Sequence, residues 1–176
     1  MEVYFIRHGQ SVYNIEHRIN QDIKKKVGLT ELGRRQAEAI GKKLHGKKFD
    51  VIFSSPFLRT METAKIIALH IGAKIVKESL VKEWNVGFEG KKIAEYNGRA
   101  ENDMLHFKLP GKESWTDVRK RVEKFVIKLK RKKYSRVLVV THEHVFRTAF
   151  VVFGWARDEE VVKKKIGNCE YVVFDL

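Results

Sequence analysis

Cysteine occurs once in the 176 residues, at Cys169. A lone thiol excludes a disulfide framework and a thiolate zinc site. Proline occurs only twice, and neither a low-complexity linker nor an internal repeat divides the chain, so one domain is expected over residues 1–176. No apolar run approaches the roughly 18 residues that a membrane span needs. Val3–Ile6 is also too short for a secretory apolar region, and the expected location is cytoplasmic with no membrane partner.

Positive charge is what the chain has in excess, with 36 Lys and Arg against 22 Asp and Glu and a formal net charge of +14. Its main runs, Lys24-Lys25-Lys26, Lys130-Arg131-Lys132-Lys133 and Lys163-Lys164-Lys165, are scattered and lack interleaved aromatics for base stacking. Nucleic acid is therefore not the expected partner. A lysine-rich solvated face accounts for much of the excess, and small phosphorylated molecules suit the remainder.

Short apolar runs alternate with helical patterns. Val3–Ile6, Val51–Phe53, Ala73–Val76, Val137–Val140 and Tyr171–Phe174 read as strands. Thr30 is the expected N-cap of a helix to about Leu44, with Leu32, Ala39, Ile40 and Leu44 on its apolar face. Ser55-Pro56 reads as an N-cap followed by proline at the first helical position, and Gly72 as the end of that helix. Ser114 with Asp117 forms a capping box before the stripe Trp115, Val118, Val122, Phe125, Val126 and Leu129. A further helix is expected around Ile93–Met104, and another from the fourth strand to about Phe153. The alternation predicts an α/β fold: a single three-layer domain, mainly parallel central sheet, helices on both faces.

Ligands of open α/β sheets bind beyond the carboxyl ends of the strands. Arg7 and His8 follow the first strand, Arg59 opens the helix after the second, Glu83 lies past the third and His142 follows the fourth. These groups suit phosphoryl transfer. Paired guanidiniums grip phosphate oxygens in forks. A neutral imidazole can attack phosphorus, and nearby arginines keep His8 neutral. Glu83 can protonate the leaving oxygen and later activate water, and a protonated His142 would bind the charge that builds on phosphorus. Trp84 and Trp115 read as packing residues, and His17 and His144 as candidates for a pocket rim.

Arg7-His8-Gly9-Gln10-Ser11 with Asn14 resembles the Arg-His-Gly signature of the histidine phosphatase superfamily, which includes the cofactor-dependent phosphoglycerate mutases. Gly28–Gly33, Ser54–Ala64, Glu83–Gly90, Pro110–Ser114 and Val140–His142 are similar to its further landmarks, in its order. The resemblance implies that His8 becomes phosphohistidine, that Arg7, Arg59 and His142 form the phosphate pocket, and that Glu83 is the proton donor and acceptor. It places Asn14 near the transferring group and Gln21 in the substrate loop. No metal or organic cofactor is implied for the phosphatase members.

Two positions depart from that pattern. Glu143 and His144 follow the second histidine where the family often has glycine, and the Arg18–Gly28 loop carries Gln21-Asp22 and three lysines. Glu143 is expected to point away from phosphate at a helix start. The short stretch from Gly87 to Gly111 lacks room for the larger lid of the mutases, which favours a phosphomonoesterase acting on a small phosphorylated metabolite. A mutase and a non-catalytic phosphate-binding module are the alternatives. The last strand is an exposed edge through which a homodimer could form.

Overall fold

The computed structural model describes residues 1–100 and 102–176. Five strands form one sheet: β1 (Glu2–Arg7), β2 (Val51–Ser54), β3 (Ile75–Lys77), β4 (Arg136–Thr141) and β5 (Tyr171–Asp175), in the order β3-β2-β4-β1-β5. All neighbours are parallel except β5, which runs antiparallel to β1. The helices are α1 (Val12–Ile15), α2 (Glu31–Leu44), α3 (Leu58–Ile71), α4 (Ile93–Ala100), α5 (Trp115–Lys130), α6 (Glu143–Val152) and α7 (Asp158–Val161).

Alternation along the strands sorts the core into two layers. Val3, Phe5, Val137 and Val139 face α5 and α6, where Phe125 and Phe146 are fully buried. Tyr4, Ile6, Leu138 and Val140 face α2 and α3, against Ala37, Leu44, Ala64 and Ile67. Both faces are thus covered, as the continuous apolar runs of the strands require.

Several expected details change. The helix after β2 starts at Leu58, with Phe57 at its N-cap and no side-chain cap bond. Ser55 is not the cap: its hydroxyl turns inward to His142, and Pro56 sits in the bend before the helix. Leu32 is 44% exposed, and the face of α2 that packs inward is Gly33, Ala37, Gly41 and Leu44. The third strand runs Ile75–Lys77 rather than Ala73–Val76, and the helix from Ile93 ends at Ala100. The expected continuation of that helix crosses Glu101, which lies outside the described residues, and Met104 beyond it stands in a turn.

The loop after β1 is held by close backbone packing. Gly9 and Gly33 sit so near one another that a Cβ on Gly33 would lie 2.1 Å from the Gln10 carbonyl oxygen, and one on Gly9 would lie 2.4 Å from the Gly33 carbonyl oxygen. Only backbone without side chains allows α2 to enter there. Gly33→Ala is expected to cost about 1–3 kcal/mol, measured by urea denaturation, because backbone and not a movable side chain must give way. Gly98→Ala in α4, whose Cβ would meet nothing within 4 Å, is expected to gain about 0.5–1 kcal/mol in the same assay.

Candidate active site

Register brings the polar residues together. Arg7 pairs with Thr141, and Ser54 with Val140. The ladder runs one step further, with the His8 amide donating to the Thr141 carbonyl and the Ser55 amide to the Val140 carbonyl, both at 3.0 Å. His8, His142 and Ser55 therefore stand side by side at the carboxyl edge of β1, β4 and β2. The His8 and His142 rings lie 5.3 Å apart at 66°.

Arg59, only 3% exposed, reaches across this edge from the first turn of α3. Its Nε donates to Nε2 of His8 at 3.0 Å, and its Nη2 to Nδ1 of His142 at 2.9 Å. Its Nη1 donates to Oδ1 of Asn20, and Nη2 also donates to the Asn20 carbonyl at 3.2 Å. A guanidinium only donates, so both imidazole atoms it meets carry lone pairs. The protons follow: Nδ1 of His8 donates to the Gly9 carbonyl at 2.7 Å, and Nε2 of His142 donates to Oγ of Ser55 at 2.7 Å. Both rings are neutral. Burial pushes His8 well below the ordinary histidine range, and Arg59 and then Arg7 push the same way. Burial and then Arg59 lower His142 similarly. Burial also lowers Arg59 itself, to about 10.

Glu83 enters from the segment after the 3-10 turn at Ser79–Val81. Its Oε2 lies 3.6 Å from Nη2 of Arg59 and 3.5 Å from Nδ1 of His142, and its Oε1 accepts from the Trp84 amide at 2.9 Å. Burial alone would push this carboxyl up, but the neighbouring His144 and Arg59 hold it well below the ordinary range. The segment is fixed from behind by Arg121 of α5, which donates to the Leu80 carbonyl at 2.7 Å and the Glu83 carbonyl at 3.3 Å, and pairs with Glu113 at 2.8 Å. Glu113 in turn accepts from the Asn85 amide at 3.0 Å.

The remaining expected residues line the same cavity, of about 990 Å³. Arg7 donates to the Ile166 carbonyl and pairs with Glu143 at 3.1 Å, and its Nε is buried without a partner. Glu143 does not point away: it is clamped between Arg7 and Arg147 and lines the pocket. Its charge is matched there by two guanidiniums rather than by the helix dipole alone. Oδ1 of Asn14 accepts from the Ser11 amide at 2.9 Å, so only its amide nitrogen is left to offer a ligand. Oε1 of Gln21 accepts from the amides of Gly87 at 2.9 Å and Phe88 at 3.2 Å, which ties the lysine loop to the acid segment. His17 and His144 both reach the pocket wall. Trp84 and Trp115 pack edge to face at 6.2 Å in the core, although Trp84 also borders the cavity.

Sequence reasoning did not pick out Asn20, Ser55, Glu89, Arg121 or Glu113 as parts of this site. Glu89 holds the loop by accepting from the Asn20 side chain at 3.3 Å and the Asp22 amide at 2.8 Å. Glu113 stood inside a recognised landmark, which was the available signal. Among the described residues no group of three or more His, Cys, Asp or Glu is placed to hold a metal ion, and no helix is long and apolar enough to cross a membrane.

A Hydrogenobacter thermophilus protein named as a candidate phosphoserine phosphatase is 31% identical over 152 residues, 80% of this chain and 72% of its own. The 2,3-bisphosphoglycerate-dependent phosphoglycerate mutase of Thermoplasma acidophilum is 29% identical over 179 aligned positions, 97% of this chain and 85% of its own. The solved structure of Bacillus stearothermophilus YhfR superposes with a TM-score of 0.86 at 24% identity, covering 99% of this chain and 91% of that one. A model of the histidine phosphatase superfamily (branch 1) matches residues 3–176, and the chain belongs to that family of phosphatases and mutases.

Proposed function

We propose that the protein is a phosphomonoester hydrolase that works through a phosphohistidine on His8, with Glu83 as general acid and base and a small phosphorylated metabolite as substrate. The observation that carries this reading is the orientation of His8. Its Nδ1 proton is spent on the Gly9 carbonyl, so the Nε2 lone pair is on the side of the cavity, where it accepts from Nε of Arg59 at 3.0 Å until a phosphoryl group takes that donor, 5.3 Å ring to ring from His142.

In the first step Nε2 attacks phosphorus, the phosphorus–oxygen ester bond breaks, and the leaving oxygen takes a proton from the Glu83 carboxyl. In the second, Glu83 takes a proton from water as the water oxygen attacks phosphorus, the phosphorus–nitrogen bond breaks, and inorganic phosphate leaves. Arg59 already gathers the groups around the reacting atoms, and an arriving phosphoryl group competes for its N–H donors. Its negative charge also raises Glu83 toward the protonated form that the first step needs. The Arg7–Glu143–Arg147 group leaves a net positive charge beside the phosphate position. Asn14 contributes its amide nitrogen, and Gln21 holds the loop that carries Asn20.

A phosphoglycerate mutase is the second reading, favoured by the likeness to the Thermoplasma enzyme over nearly the whole chain. Incubation with 3-phosphoglycerate and its bisphosphate primer distinguishes the two: release of inorganic phosphate supports the hydrolase, and accumulation of 2-phosphoglycerate supports the mutase.

The direct test is hydrolysis of p-nitrophenyl phosphate with EDTA present. His8→Ala is expected to abolish turnover, and surviving turnover would rule out the phosphohistidine route. Glu83→Gln is expected to lose roughly 10²–10⁴-fold in kcat on an alkyl phosphate. The loss should be smaller on the aryl ester, whose leaving oxide needs less help from a proton. Because burial and two arginines keep His8 neutral, kcat/KM should be retained from pH 7 down to about 5.5, where an ordinary imidazole would already be protonated. A fall in kcat/KM centred near 6.5 would contradict it.

A further inference from the structure

Glu83 has two differently employed oxygens. Oε2 faces Arg59 and His142, whereas Oε1 accepts from the Trp84 amide at 2.9 Å and has Nδ1 of His144 3.5 Å away. That Nδ1 is buried and makes no hydrogen bond of its own, so the Glu83 oxygen is the group it faces. The ring is held edge to face against Trp84 at 5.0 Å. Its side chain is 33% exposed, against 0% for His142 and 4% for Arg59.

The other charged and titratable groups around Glu83 come from every neighbouring element. They are His8 at the end of β1, Arg59 of α3, Arg121 of α5 on the Glu83 carbonyl, His142 at the start of α6, and Arg147 within it. The arginines keep their charge, and both buried histidines have a lone pair committed to Arg59. His144 is the neighbour with a partly exposed ring and no nitrogen committed to Arg59.

We propose that His144 is a positioning residue that acts through Glu83: from Oε1 it turns Oε2 toward the reacting oxygen, and its N–H favours the carboxylate, returning Glu83 to its base form for the water step. The inference rests on the phosphatase reading above. A hydrogen bond or positive charge offered to a carboxylate lowers its pKa, so removing it lets Glu83 keep its proton to higher pH. The falling limb of the phosphorylation rate, which follows loss of that proton in the substrate complex, must then move upward.

The test compares wild type, His144→Ala, His144→Asn and Glu83→Gln, with the rates of phosphohistidine formation and hydrolysis on a phosphate ester each measured against pH by rapid quench. In His144→Ala the alkaline limb is expected to rise by about half to one pH unit. Phosphohistidine should accumulate because its hydrolysis slows. His144→Asn, whose amide can still donate to Oε1, is expected to recover most of the wild-type hydrolysis rate. An unmoved limb with an equal loss at every pH, or a change confined to KM, would overturn the inference while leaving Glu83 as the acid. If Glu83→Gln is unimpaired on an alkyl phosphate, the acid–base assignment falls and this inference falls with it. Melting curves of both His144 variants separate a folding defect from these outcomes, since Asn preserves shape and one donor.

Discussion

The buried Arg59 guanidinium organises the site. Removing a guanidinium from water is costly unless its donors are matched. Here they are matched by the two oxygens of Asn20, by one ring nitrogen from each of two histidines, and at 3.6 Å by Glu83. The same contacts settle the tautomers of His8 and His142, because a group that only donates requires lone pairs opposite it. Charge balance, ring orientation and nucleophile exposure thus depend on one side chain. Each surrounding device serves to hold a partner at its distance: Glu89 holds the Asn20 loop, Ser55 holds His142, and Arg121 with Glu113 holds the Glu83 segment.

Much of this was legible in the sequence because strand ends can be located from apolar runs, and ligands gather at the carboxyl ends of parallel strands. Arg7, His8, Arg59, Glu83 and His142 each sit next to such a run, and all five line or adjoin one cavity. What the pattern could not supply was long-range pairing. Asn20 is a loop residue with no periodicity, and only the fold reveals that Arg59 covers it. Ser55 carried a helix-cap signal, yet a buried imidazole nitrogen competed for its hydroxyl. Leu32 fitted the helical stripe, but α2 approaches the nucleophile loop through Gly33 and His70 of α3 through Gly41, so the packed face is rotated toward small residues.

Glu143 shows how a local rule gives way to the site. A carboxylate at a helix start is favoured by the helix dipole, and that alone would let it face water. Arg7 and Arg147 instead draw it inward, where it neutralises part of the positive charge that would crowd the phosphate position. The pocket is lined by four arginines, two lysines and two carboxylates, which leaves it positive enough to attract a dianion.

The order of the strands has a consequence for how the molecule comes into being. β1 carries the nucleophile at its end, and its two neighbours in the sheet are β4 and β5, drawn from residues 136–141 and 171–175. During synthesis this first strand has no partner within the sheet until most of the chain has emerged. Such pairing across long sequence separations carries a large loop-closure entropy and is slow to form. α2 and α3, which pack closely on one another, need no such wait. The nucleophile and its second histidine are therefore joined only by pairing across most of the chain, and a chain ending before Arg136 lacks both sheet partners of β1.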